Sequence, residues 1–375
     1  MSGLINRVRE LHDFGQKAWL EVSGGKLLAP GKLGRLIDYD GITGICSDPA
    51  SLPQTLADNE HDDAIVRGLA APGAPAEQIS ESVNLQDTRR SADRLLRTFR
   101  NADGYDGFVS LEVSPIFAFD AAGMVAEARR LLGALDRANI LIQVPATREG
   151  LSAIRQLTSE GVCVSATMVF GVTRYREVVD AFIRGLEDRR SKGHLLNRIV
   201  SVAGVSVNRI DTMVDEKLRS LPKRFSAQAG NALLGKAGVQ VARFAYQVYK
   251  QTVASPRWAS LAAQGARPQR LLWTGTDATN LADGDVRYVE QLVGRDSITA
   301  LSLPTLVAYR DHGNPTPTLE SNLYEIATFP GELLKLGIDM EDISRQLEAD
   351  CLRQWTARVK ASWVVSAREP ATLQH

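Results

Sequence analysis

The chain has few of the residues that build disulfide-stapled or zinc-dependent folds. It contains three cysteines, Cys46, Cys163 and Cys351, with no CxxC or zinc-finger spacing. So small and scattered a set excludes a disulfide framework, and the three read as reduced core residues of a cytoplasmic protein. Histidine is also scarce. His12, His61, His194, His312 and His375 fall in predicted helices, loops or the tail, which argues against a zinc site. Net charge is missing, with 44 basic and 44 acidic residues, so neither nucleic acid nor a membrane surface is expected as a partner. No apolar run approaches the ~18 residues of a membrane span. The opening stretch, Met1 to Glu10, turns charged at once and has no apolar core, so a secretory leader is not expected. No Gly-x-Gly-x-x-Gly follows a strand, and no hairpin signals join one strand directly to the next.

What is present is an alternation. Apolar, β-branched runs are predicted as strands at 17–22, 43–46, 108–113, 140–144, 162–167, 199–203, 270–274 and 297–302. Helical periodicity separates them at 32–39, 54–70, 76–100, 120–135, 151–157, 175–186 and across 209–258. A further helix opens at Pro304, and a long one covers 340–368 with Trp355 and Trp363 on it. Eight strands with intervening helices predict an α/β fold: one (β/α)8 barrel over residues 1–375. A doubly wound sheet is the alternative, and the missing glycine fingerprint counts against its nucleotide-binding form.

The fourth strand is the most informative. Ile140, Leu141, Ile142 and Val144 form a near-continuous apolar run, as in a parallel strand covered on both faces, and Pro145 stops it. Gln143 then sits at the carboxyl end of a buried strand, where barrels place their chemistry.

Long stretches resemble the transaldolase family, in its longer bacterial form. They include Asp106-Gly-Phe-Val-Ser-Leu-Glu-Val-Ser-Pro115, Val144-Pro-Ala-Thr-Arg-Glu-Gly150, Gly161 to Arg174, Ser255-Pro-Arg-Trp258, Gly265 to Trp273 and Asp311-His-Gly313. The resemblance implies a (β/α)8 barrel that moves a dihydroxyacetone unit between sugar phosphates through a Schiff base on a barrel lysine. It places the last helix, 340–368, across the barrel mouth. It also implies positions for the working residues. The family's first-strand aspartate falls on Glu21, and the asparagine of its second-strand turn on Asp48. Its proton-moving glutamate is kept as Glu112, while its Schiff-base lysine falls on Gln143. Thr147 and Thr167 are kept, and an asparagine becomes Ser165. The phosphate-binding arginine is kept as Arg209, with Ser206 in place of an aromatic and Thr279 in place of a lysine.

These departures have chemical content. An amide nitrogen shares its lone pair with its own carbonyl, so Gln143 cannot form a Schiff base. Glu21, Asp48 and Glu112 would bring three carboxylates to one mouth, where each raises the others' pKa unless a cation intervenes. That arrangement leaves three readings open: a shared proton for acid–base work, an amine on the substrate, or a divalent metal such as Mg²⁺ at Glu21, Asp48 and Glu112, which is not favoured. No cofactor is expected.

The expected function is a repurposed, imine-free enzyme acting on a sugar-derived or polyol-like small molecule by proton transfer, elimination, isomerisation or cyclisation. Glu112, Asp48, Glu21 and Gln143 would be its catalytic set. Thr147, Ser165, Thr167, Arg209, Ser206 and Thr279 would bind substrate. A non-catalytic binding or regulatory protein is the alternative, and an ordinary transaldolase of the pentose phosphate pathway the second. A monomer or homodimer is expected.

Overall fold

In the computed structural model, β-branched and aliphatic runs at regular spacing pair side by side until the last strand meets the first. Eight parallel strands close into a barrel in chain order. They are β1 (Lys17–Val22), β2 (Gly44–Ser47), β3 (Val109–Glu112), β4 (Ile140–Pro145), β5 (Val164–Val169), β6 (Ser201–Ser206), β7 (Arg270–Thr274) and β8 (Ser297–Leu301). The structure describes residues 6–22, 31–47, 76–221, 230–278 and 284–368. The barrel expected from the alternation is therefore the barrel observed.

The helices follow their strands. Two single turns come first, α1 (Arg7–Glu10) and α2 (Lys32–Arg35). Then come α3 (Ala76–Asn101), α4 (Ala121–Leu135), α5 (Arg148–Glu160), α6 (Val172–Ser191), α7 (Val207–Arg219), α8 (Ala237–Val253) and α9 (Pro256–Ala262). The set ends with α10 (Arg287–Gln291), α11 (Leu303–His312), α12 (Leu323–Lys335) and α13 (Met340–Arg368). Among the described residues, the long helical region expected over 209–258 holds three helices, α7 to α9. Ser255 caps the last of them through its hydroxyl, with Pro256 at the first turn. The helix expected over 54–70 lies outside the described residues.

Burial divides into two layers. Inside the barrel Trp19, Leu141, Val202, Leu272 and Ile298 fill the lower interior. Outside it, the strands' other faces pack against the helix shell through residues such as Ile142, Val144, Ile154, Phe182 and Ile210. All of β4 is buried, on both faces, as its unbroken apolar run predicts. Each such aliphatic side chain contributes roughly 1.5–3 kcal/mol on burial.

Register positions the mouth. Glu112 pairs with Gln143, and Gln143 with Ser165. Paired positions on parallel neighbours present side chains to the same face, so these three stand abreast. β5 ends two residues later than its apolar run suggests, because it carries an irregularity. The β5–β6 register shifts between Ala166 and Val169, and Met168 adopts φ 59°. A bulge of this kind re-aims the side chains at a strand end.

Candidate functional site

A cavity of about 170 Å³ opens at the carboxyl ends of the strands, closed on one side by α13. A cavity of about 150 Å³ holds one benzene ring, so this one has room for a single small ring. Its charged lining consists of Glu21, Arg209 and Asp277, and no lysine lines it among the described residues.

Each side chain arrives by a local rule. Glu21 sits near the end of β1, and its Oε2 accepts from the Gly275 backbone N–H at 3.4 Å. Gly275 has φ 60°, and a Cβ there would lie 2.3 Å from Asn208 Oδ1, so only glycine brings that amide to Glu21. Gln143 is 3% exposed, and its Nε2 donates to Ser110 Oγ at 2.9 Å. Ser165 and Ser206 also line the cavity. Ser206 precedes α7 without using its hydroxyl as a cap, which leaves that hydroxyl for the cavity. Thr167 lines it too, and its hydroxyl lies 3.5 Å from Glu112 Oε1. Glu112 therefore reaches the cavity's edge through Thr167 rather than forming its wall.

Arg209, in the first turn of α7, donates from Nη1 to Cys351 Sγ at 3.1 Å and to Gln354 Oε1 at 3.4 Å. Both acceptors are neutral and belong to α13. Among the described residues no ion pair joins Glu112 and Arg209. Asp277 holds the opposite side: its Oδ1 accepts from Ser302 Oγ at 2.5 Å and from Thr305 Oγ1. That carboxylate also sits at the N-terminus of α11, where the helix dipole favours negative charge.

Thr147 is placed elsewhere. It is fully buried, its hydroxyl donates to the Ala118 carbonyl at 2.7 Å, and it accepts from the Gly150 N–H at 2.9 Å. Those bonds make it the N-cap of α5, so it holds the β4–α5 turn instead of touching the cavity. Asp48, Thr279 and the Trp363 side chain lie outside the described residues. Among the described residues no group of three or more His, Cys, Asp or Glu could hold a metal ion. Asn208, Asp277, Cys351 and Gln354 line the cavity without having been expected there.

A family model described as transaldolase/fructose-6-phosphate aldolase matches residues 16–362. The chain belongs to this family. A transaldolase of Thiobacillus denitrificans is 38% identical over 357 residues, covering 95% of this chain and 98% of the relative. A transaldolase of Saccharopolyspora erythraea is 37% identical over 359 residues, covering 96% and 95%. One of Thermobifida fusca is 37% identical over 342 residues, covering 91% and 92%. Within this transaldolase-family barrel, the strand-end residues Glu21, Gln143, Ser165, Thr167, Ser206 and Arg209 share one cavity. No helix among the described residues is long and apolar enough to cross a membrane.

Proposed function

We propose that this transaldolase-family protein binds a sugar-derived or polyol-like molecule at the barrel mouth and moves protons on it without forming an imine. The observation that carries the reading is Gln143. The family resemblance sets it on the Schiff-base lysine, it lines the cavity, and no described lysine lines that cavity beside it. Glu112, through the Thr167 hydroxyl that separates it from the cavity, would take a proton from a carbon next to a carbonyl and return it to the neighbouring carbon, the balanced course of an isomerisation. Glu21 would hold or relay a second proton on the substrate oxygen. The Gln143 amide and the Ser165, Thr167 and Ser206 hydroxyls suit a polyol's hydroxyls, and Arg209 suits an anionic group.

A second reading is favoured by the relatives' name: an ordinary transaldolase that finds its amine elsewhere. Lys26, four residues beyond β1 in sequence and outside the described residues, is one lysine to test for that role. Borohydride trapping with fructose 6-phosphate separates the two. Imine-free chemistry leaves the protein mass unchanged. A reduced sugar adduct mapped to Lys26 or any other lysine would establish the second reading and end the first.

A further inference from the structure

A second cavity, of about 240 Å³, lies among the helices and shares no lining residue with the one at the barrel mouth. The opening turns of α6, α8 and α13 and the middle of α12 surround it. A cavity of about 150 Å³ holds one benzene ring, so this one has room for a fused bicyclic ring. Its walls are mostly apolar, supplied by Val241, Phe244, Ile326, Phe329 and Met340. Small-molecule sites are lined in this way, with a few polar groups to fix orientation.

The polar groups here are short of a donor. Gln240 lines the cavity and is 5% exposed, and its Oε1 has no hydrogen-bond partner among the described residues. A buried acceptor left unpaired costs free energy that a ligand N–H would recover. The backbone adds a second, independent sign. Pro330 stands inside α12 and has no N–H to give to the Ile326 carbonyl one turn back. Ile326 and Pro330 both line the cavity, so this break in the helix ladder falls on its wall. Charge argues for a neutral occupant. Arg176 and Glu341 line the cavity with one charge of each sign, and Glu341 already accepts from the Thr173 hydroxyl at 2.6 Å. A ligand carboxylate would meet Glu341 and a ligand amine would meet Arg176, and either would lose more hydration than a neutral N–H does.

We infer that this cavity binds an uncharged bicyclic aromatic molecule of indole's size, its ring packed on Phe244 and Phe329 and its N–H donating to Gln240 Oε1. The inference is independent of the chemistry at the barrel mouth.

Calorimetric titration of the whole chain with indole and with benzofuran tests it. Benzofuran keeps the shape and has a ring oxygen in place of the N–H. Indole should bind at least about tenfold tighter than benzofuran. Gln240→Leu removes the acceptor while nearly keeping the volume, and should bring the two affinities within about threefold of each other. Hydrogen–deuterium exchange on the wild-type protein locates the ligand without any variant, so a misfolded Gln240→Leu does not block the test. Saturating indole should slow exchange across 171–176, 240–244 and 326–341 and leave 204–209, at the mouth, unchanged. Equal wild-type affinity for the two compounds overturns the inference. So does a folded Gln240→Leu that keeps the full preference, protection at 204–209 instead, or binding of neither compound.

Discussion

Gln143 and Thr147 are four residues apart, yet one faces the cavity and the other caps a helix. The difference decides what substitution at each would do. Gln143→Lys adds an amine to a mouth that already holds Glu21 and Asp277. An unperturbed lysine has a pKa near 10.4, so about one molecule in 2,500 is neutral at pH 7. Nearby carboxylates favour the charged form and make the neutral fraction smaller still. The single variant should therefore form a borohydride-trappable imine only slowly at neutral pH, at a rate that climbs as the pH rises. Adding Asp48→Asn and Ser165→Asn should speed trapping, because the family resemblance assigns all three positions to one site, where they should couple. Intact-mass time courses across pH measure this. A single variant that traps as fast at neutral pH as at alkaline pH would show that the carboxylates do not matter. Thr147→Ala, by contrast, removes the cap of α5 and should cost about 1 kcal/mol of stability without changing ligand affinity.

At the scale of elements, α13 closes one side of the site and is held by side chains from α6. Arg174 donates to Glu348 at 3.0 Å, and the Thr173 hydroxyl to Glu341 at 2.6 Å. Burial raises the Glu348 carboxyl above its usual value, and the Arg174 guanidinium pulls it back down. Folded Glu348 thus binds its proton more readily than the unfolded chain does. Its ionised form weighs against folding above the raised pKa, and that penalty fades as the pH falls through it. Arg174→Ala removes the compensating charge. It should destabilise the protein by about 2–3 kcal/mol at neutral pH, with the loss shrinking on acidification. Glu348→Gln keeps an acceptor for Arg174 without the charge and should stay within about 1 kcal/mol of wild type. Urea melts across pH check both, and a pH-independent Arg174→Ala deficit would refute the account. This element also marks the limit of what the sequence discloses. Gln143 is legible from its own buried strand, and Glu21 and Ser165 from the family resemblance, which sets them on strand ends that converge whatever the loops do. Gln354 reaches Arg209 across 145 residues of chain, and no local pattern says which face of a terminal helix meets the mouth. Asp277 was hidden for a similar reason: it follows β7 in a loop, and its partners Ser302 and Thr305 belong to the start of the next strand–helix unit.

Across the whole molecule the two ends of the barrel do different work. The carboxyl end carries the cavity, and the amino end is sealed by a polar cluster in the apolar interior. Asp106 is 3% exposed; it accepts from Trp19 Nε1 at 3.0 Å and lies 3.8 Å from Arg270 Nη1. Arg270, also 3% exposed, donates to the Tyr105 carbonyl at 2.7 Å and lies over the Tyr105 ring. The cluster ties β1, β7 and the approach to β3 together beneath the site. In barrels of this kind the carboxyl-end loops make function and the opposite face makes stability. Asp106→Ala leaves a guanidinium buried without its carboxylate and an indole N–H without its acceptor. It should cost about 3–5 kcal/mol of folding free energy. The cavity, at the other end of the strands, should keep its affinity. Chemical unfolding reports the first effect, and calorimetry with fructose 6-phosphate on the folded fraction reports the second. An affinity loss of more than about tenfold would mean that the interior layers transmit strain along the strands. The barrel would then be one coupled unit from base to mouth, and the division of labour between its ends would not hold.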